Sequence, residues 1–381
     1  MTRYSLTSLA LWMLAAGLAA AQAPALQTDF QSPGPANLRE VFFADAQHGV
    51  VAGNIHRAGP ALAWTDNGGT DWQDATVDVD LNKTNPEGLW LHGQVGWALF
   101  WRPATPPSQL LLRTEDGGKS WKSQPAPQLQ KVPAANVLWF DADGQRGWIN
   151  TGGGPLYKTD DGGQSWAPVD PSHYQGTLKL GDKPLGGNFG HRAFYAFSAD
   201  HVMIAGTAGA FLETTDRGAT WRAWQVPLQT PAGQEGWAGI SALSFAPDGQ
   251  SGWAVGGEGD RIANPNGWAQ MRTPLVLRTT DGGRTWERRT LQIKAPLDDV
   301  WALSAQEAWL CGQGGYALSM GAPGTLRRTT DGGQTWQNMH PGIGAIRKLF
   351  FLDATHGWAA GGAGGGLEAE STIVIITPAA G

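Results

Sequence analysis

The chain carries one cysteine in 381 residues, Cys311, so no internal disulfide can form and stability has to come from packing. No lipid-acceptor cysteine stands near the N-terminus. There is no run of like charges, and the formal net charge is −6, which gives no sign of a nucleic-acid partner. Beyond the first residues no segment holds a 3.6-residue apolar period with caps, which argues against helices. No later stretch approaches the roughly 18 apolar residues of a membrane-spanning helix. Histidines and cysteines show no zinc-site spacing; His173 and His191 stand far apart in a glycine-rich stretch. What is plentiful is glycine, at 54, and tryptophan, at 20, which suits many tight turns and one or two large anchors per repeat.

The N-terminus reads as a targeting segment. Arg3 precedes the apolar stretch Leu6 to Ala21, and Ala19-Ala20-Ala21 supplies small residues for cleavage. A signal peptide is expected over residues 1–21, cleaved after Ala21, with a single exported domain over 22–381.

One octet organises that domain. TTDGGRTW runs from Thr279 to Trp286 and recurs as TTDGGQTW (Thr329 to Trp336), TDDGGQSW (Thr159 to Trp166) and TEDGGKSW (Thr114 to Trp121). Looser copies are TTDRGATW (Thr214 to Trp221) and TDNGGTDW (Thr65 to Trp72), the latter with Asn67 where the others have Asp. The closing tryptophans follow one another at 45 to 65 residues, a period that signals a propeller or solenoid.

Between boxes lies a second phrase: a strand-like run, a polar turn, then Gly-Trp and small residues. Val41, Leu89, Val137, Phe194, Leu243, Val300 and Leu349 each begin a copy, one more than the boxes. Short aromatic and branched runs bounded by Gly, Asp and Pro are strands. The expectation is an all-β, seven-bladed propeller of four-stranded antiparallel blades, because one such sheet cannot bury both faces alone. Blades are expected at about 38–80, 88–130, 135–170, 193–228, 240–294, 299–340 and 345–381. The seventh unit ends where its box would begin, so the segment 25–31 is expected to supply its outer strand and close the ring.

The box itself reads as a turn. Asp116, Asp161, Asp216, Asp281 and Asp331, with Asn67, can accept from N–H groups just ahead, and the Gly pair permits positive φ. Trp72, Trp121, Trp166, Trp221, Trp286 and Trp336 are expected to bury their indoles between blades or beneath the turn. One carboxylate per box and no bidentate Glu does not match a calcium loop. No metal and no cofactor are expected. Cys311, between Leu310 and Gly312 on a second strand, reads as a small buried residue.

The S/T-x-D-x-G-x-T-W octet is the Asp-box, or bacterial neuraminidase repeat, found in sialidases, some xyloglucanases and sortilin-type receptors. Together with Phe351-Leu352-Asp353-Ala354-Thr355-His356-Gly357-Trp358, it most resembles the photosystem II stability/assembly factor family. The resemblance implies an exported propeller that binds a membrane-protein assembly intermediate without catalysis. It implies a protein partner such as a membrane-complex subunit, a monomer, and a periplasmic or extracellular location, or the thylakoid lumen in a phototroph. Peripheral membrane association is compatible with it.

In a four-stranded meander the boxes share one face, and loops after Gly-Trp or between blades share the other. The long insertions map to that second face. Ala167 to Arg192 offers His173, Tyr174, Lys179, His191 and Arg192; Gly256 to Thr273 offers Arg261, Trp268 and Arg272. Loops carry function, and Trp, Tyr and Arg anchor interfaces, so these are the binding candidates. The alternative is a glycan-binding or glycoside-hydrolysing, sialidase-like propeller, which needs an arginine triad, a Tyr–Glu pair or two facing carboxylates. Leu38-Arg39-Glu40-Val41 lacks the Pro of the early sialidase segment; the carboxylates to weigh are Glu235, Glu258, Asp260 and Asp298, and the tyrosines are Tyr157, Tyr174, Tyr195 and Tyr316.

Overall fold

The computed structural model describes residues 25–35, 37–56, 59–132, 134–152, 154–175, 177–180, 183–184, 190–226, 237–259, 273–293, 295–312, 324–339, 345–362 and 370–377. The expected leader, and Arg261, Trp268, Arg272, Glu235, Asp260 and Tyr316, lie outside them. Among the described residues there is no α-helix, and none is long and apolar enough to cross a membrane.

Seven antiparallel sheets form the blades. In blade 1 the inner strand Asn37–Phe43 pairs with Gly49–His56, which pairs with Gly59–Thr65, which pairs with Gln73–Asp74 at the rim. The other inner strands are Asn85–His92, Val137–Phe140, Ala193–Ala196, Trp237–Phe245, Leu297–Ala302 and Ala345–Asp353. In blade 7 the third strand, Glu370–Thr377, is flanked on its outer side by Ala25–Pro35, paired from Ala25↔Thr377 to Pro35↔Glu370 with irregularities between Thr28 and Phe30 and between Gln31 and Pro35. The N-terminal segment therefore closes the ring, and it extends four residues beyond the expected 31.

Two linkers add a short parallel strand outside a blade. Thr76–Val77 pairs with Ser120 and Trp121, and Tyr174–Gln175 pairs with Trp221 and Arg222. These strands lie over the box tryptophans Trp121 and Trp221, which are 1 % and 3 % exposed; Trp166 is equally buried without one, in a cluster with Leu129, Val132 and Phe140, whereas Trp72, Trp286 and Trp336 remain half-buried.

Each box is a closed hydrogen-bond circuit. In the second, Thr114 Oγ1 donates to Asp116 Oδ1 (2.7 Å) and accepts from Gly118 N–H (3.0 Å). Asp116 in turn accepts from Ser120 N–H (2.9 Å) and Ser120 Oγ (2.5 Å). Both carboxylate oxygens are thereby engaged in the turn. The variant first box inverts one polarity: Asn67 Nδ2 donates to Asp71 Oδ2 (2.9 Å), where the other boxes pair an Asp with a Ser or Thr hydroxyl. Asn67 and Asp71 are thus a matched pair of changes that keeps the turn.

The boxes lie at the same end of the blade as the first turn. Gly68, Gly117, Gly162, Arg217, Gly282 and Gly332 N–H groups each donate to a carbonyl of that turn in their own blade, all at 2.9 Å. The box also receives the neighbouring blade. Trp97 stacks on Phe140 of the next inner strand (4.1 Å between centroids) and donates Nε1–H to Gly162 O (3.2 Å). Trp358 repeats this across the ring closure, stacking on Phe43 at 3.6 Å and donating to Gly68 O at 2.9 Å. Box glycines are required here: at Gly333, with φ +81°, a Cβ would stand 2.4 Å from the Trp253 ring of the preceding blade. The described apolar core is accordingly a set of clusters between blades, such as that joining Leu38, Val41 and Phe43 to Phe350 and Trp358.

Candidate functional site

The seven inner strands surround an axial channel, and two columns of the repeat decide its character. The first is a β-bulge near the start of the strand. Pairing with the second strand skips one residue at Arg39, Glu87, Ser241, Asp298 and Arg347, in blades 1, 2, 5, 6 and 7. A bulge re-aims a side chain at a rim, and all five residues line a mouth of about 550 Å³ on the face away from the boxes. Asn136 and Arg192 complete it from blades 3 and 4. Farther along the strand, a second column contributes Phe42, Trp90, Trp139, Tyr195, Trp301 and Phe350, with Ser244 in the fifth blade. These rings line a contiguous cavity of about 690 Å³ toward the box face. Phe42 packs on Phe350 at 4.6 Å, and Phe350 on Trp301 at 5.3 Å.

The mouth is charged and internally strained in its electrostatics. Enclosure in the channel wall pushes the Glu40 carboxyl up to about 7 and the Glu87 carboxyl up to about 8. Glu87 also accepts from Ala135 N–H and from Gln109 Nε2 (3.3 Å). Lys348 is held above the ordinary lysine range by Asp299, whose Oδ2 lies 3.6 Å from its Nζ and also accepts from Leu349 N–H (2.9 Å). Arg39 is shifted the other way, first by partial enclosure and then by Arg347.

The candidates expected from sequence do not converge. Arg192 is exposed and lines the mouth. Tyr174 and Lys179 sit at the outer rim of blade 4, where Gln225 holds the backbone of Lys179 (N–H to Oε1, 3.1 Å; O from Nε2, 2.8 Å). His173 is exposed beside Ser172, on the same outer segment. His191 must be withdrawn as a binding residue. Its ring is fully buried, with Nδ1 2.7 Å from Asn150 Oδ1 and Nε2 3.0 Å from Gly154 O, and burial lowers its pKa. The segment from Ala167 to Arg192 is thus not one binding loop: Tyr174–Gln175 run along the blade edge, and Arg192 at its end lines the mouth.

For the glycosidase alternative, Glu258 is locked by Arg288 in a two-pronged pair, both contacts 2.7 Å. Tyr195 spends its hydroxyl on Phe245 O (3.2 Å), and Tyr157 stands on a third strand. Among the described residues no group of three His, Cys, Asp or Glu is placed to hold a metal ion. Cys311 is fully buried, and burial raises its thiol well above the usual range. Glu40, Glu87, Asn136, Arg347, Lys348 and Asp299 were not singled out from sequence. The available signal was the recurrence of polar residues just ahead of Val41, Leu89, Val137, Val300 and Leu349, inside what otherwise reads as an apolar strand.

Comparison with known proteins places this architecture. A family model for the photosynthesis system II assembly factor YCF48 matches residues 22–179. The photosystem II assembly lipoprotein Ycf48 of Synechococcus sp. (strain CC9902) is 24 % identical over 248 residues, which is 65 % of this chain and 65 % of the relative's length. A solved structure of YCF48 bound to D1 peptide superposes with a TM-score of 0.63 at 18 % identity, covering 94 % of this chain and 96 % of that one. The same fold also carries an enzyme: a PL25 ulvan lyase bound to its saccharide matches at a TM-score of 0.55 and 11 % identity, over 92 % and 96 % of the two chains. By sequence over its first blades and by fold over nearly its whole length, the chain is a seven-bladed Asp-box propeller that resembles the YCF48 photosystem II assembly factors.

Proposed function

We propose that this chain is a non-catalytic, exported binding propeller that engages a segment of a membrane-complex subunit on the face away from its boxes, around the axial mouth. The observation that carries the reading is the bulge column: five blades break strand pairing at one register and turn polar side chains to a single opening on that face. Residues that only built blades would not need it. A related propeller holds a peptide of a membrane-complex protein, which supports a protein partner for this chain. The absence of a catalytic role is supported by Glu258 and Tyr195, whose functional atoms are engaged within the fold. An exported location is part of this proposal and is supported by the leader-like N-terminus of the sequence, and the single-domain organisation over 22–381 belongs to the same proposal.

The test is purification of the tagged, exported protein from host membranes after lysine cross-linking, read by mass spectrometry. Cross-links from a membrane-complex subunit to Lys131, exposed on the connection into blade 3 just ahead of the mouth residue Ala135, are expected. Cross-links confined to Lys119, in the second box, would move the site to the other face. Turnover of fluorogenic sialosides or xyloglucan would replace the reading with the glycosidase one.

A further inference from the structure

Packing between blades rests on one column of the inner strands, in which Phe43 stacks on Trp358 and Phe140 on Trp97. The residue just ahead of that column lines the axial cavity of about 690 Å³ instead, and in six of the seven blades it is aromatic. Four of these rings form a continuous arc over blades 6, 7, 1 and 2. Trp301 lies 5.3 Å from Phe350, Phe350 4.6 Å from Phe42, and Phe42 6.3 Å from Trp90. In a ring of seven, blade 3 stands across the axis from blades 6 and 7. Its Trp139 is half-buried and touches no other ring among the described residues. The indole N–H groups of Trp139 and Trp301 are neither bonded nor sealed in among the described residues. By contrast Trp97 and Trp358 donate to Gly162 O and Gly68 O, and the idle indole N–H of Trp221 is shut inside.

The chamber offers an entering group no free charge. Lys348 is paired with Asp299 at the mouth end, and Asp353 at the box end accepts from Thr355 and His356. Enclosure pushes Glu40 toward its neutral form. A buried charge would therefore lack a free counter-ion. Side-chain acceptors are also few: the Tyr195 hydroxyl is spent on Phe245 O, and Ser244 Oγ takes Ala302 N–H. The hydroxyl protons of a sugar would be left without partners, a costly outcome in an enclosed site. Toward the box face the lining turns apolar, with Leu303 and the exposed Leu352.

We propose that this chamber is a socket for an uncharged aromatic side chain carried by the partner's segment, an inference that rests on the partner reading above. The segment crosses the polar mouth, and one of its rings enters between Trp139 and the arc of Trp301, Phe350 and Phe42. Ring faces and edges in the wall suit another ring, which packs offset or edge-on against them. The indole N–H of Trp139 or Trp301 donates to a backbone carbonyl beside the entering ring, an acceptor that every aromatic residue of a peptide carries. Mouth and chamber share Asn136, Val137, Phe194 and Lys348 in their linings, so one segment reaches both. A single aromatic anchor in a central pocket, ringed by polar contacts, is the arrangement that concentrates binding energy in an interface.

The test uses the full exported chain grown with fluorotryptophan and read by fluorine NMR, with the Trp139 and Trp301 signals assigned through Trp139→Phe and Trp301→Phe. The probes are N-acetylphenylalanine amide, N-acetyllysine amide and methyl glucoside. The phenylalanine probe is expected to shift both signals and to bind at least about tenfold more tightly than the other two. Trp139→Ala should weaken it about tenfold or more, and Ser244→Phe, which sets a ring in the one gap of the column, should block it. The parent chain's own signals decide even where a variant does not fold: unmoved Trp139 and Trp301 signals overturn the proposal. Tighter binding of the lysine probe would make the chamber a cation cage, and tighter binding of the glucoside a glycan site; either overturns it as well. Lysine cross-linking in host membranes separates the two readings. A captured subunit with unmoved signals overturns the socket alone, whereas shifted signals without a captured subunit support a ring site and overturn the partner as its source.

Discussion

Ring closure between blades 7 and 1 depends on Trp358, so its removal measures what the circular arrangement contributes. The indole is 2 % exposed, stacks on Phe43 at 3.6 Å with ring planes 9° apart, and donates to Gly68 O at 2.9 Å. Trp358→Ala loses the transfer energy of the ring and leaves a cavity between two blades, a cost of about 3–5 kcal/mol. With an unfolding entropy of about 2.1 cal/mol/K per residue over 381 residues, or ~0.8 kcal/mol/K, that cost lowers Tm by about 4–6 °C. Trp358→Phe keeps the stacked ring but leaves Gly68 O without its donor, which costs about 1–2 kcal/mol, or about 1–3 °C. Differential scanning calorimetry at one scan rate resolves the two. An alanine variant melting within about 1 °C of the parent would refute the view that this contact closes the ring. A phenylalanine variant as damaged as the alanine one would refute the division into stacking and hydrogen bonding.

Deleting residues 25–35 should lower Tm by more than Trp358→Ala, because it strips the outer strand from Glu370–Thr377 and exposes a sheet edge; an unchanged melting curve would contradict the pairing from Ala25 to Pro35. The pH dependence has two limbs. Glu40 and Glu87, raised to about 7 and about 8, bind more protons folded than unfolded, so stability should fall as pH climbs from about 4.3 through that range. Glu87→Gln should flatten this limb, as read from Tm between pH 5 and pH 8.5. Asp216, held down to about 2 by its bond from the Thr220 hydroxyl, acts in the opposite sense; its contribution is present above about 3.9 and lost as pH falls toward 2. Asp216→Asn should therefore weaken acid sensitivity below pH 4 without changing the alkaline limb. Exchanging the first-box pair as Asn67→Asp with Asp71→Ser should preserve Tm, whereas Asn67→Asp alone sets two carboxylates against each other and should lower it by about 1–3 °C in the same scans.

Much of the architecture was legible because each blade repeats one local solution. The octet encodes a turn in which each donor lies two or four residues from its acceptor, so Thr114, Asp116, Gly118 and Ser120 could be assigned roles from spacing alone. The shortfall of one box against seven strand phrases pointed to an N-terminal strand in blade 7, and Ala25–Pro35 fills that place. Burial of the box tryptophans was legible only in part. Trp121 is covered by the linker strand Thr76–Val77, and Trp166 is buried in a cluster with the linker residues Leu129 and Val132; neither linker belongs to the repeat.

The site was much less legible. His191 and Tyr174 looked alike as polar residues in one long insertion, yet one is locked under Asn150 and Gly154 and the other extends a blade edge. Arg39, Glu87, Ser241, Asp298 and Arg347 are far apart along the chain, and each precedes an unremarkable apolar run. Local sequence determined the turns, the strands and the number of blades, because those rest on contacts between near neighbours. Only the closed ring decided the site: it brings the five bulges, Arg39 of the first blade and Arg347 of the last among them, to one opening.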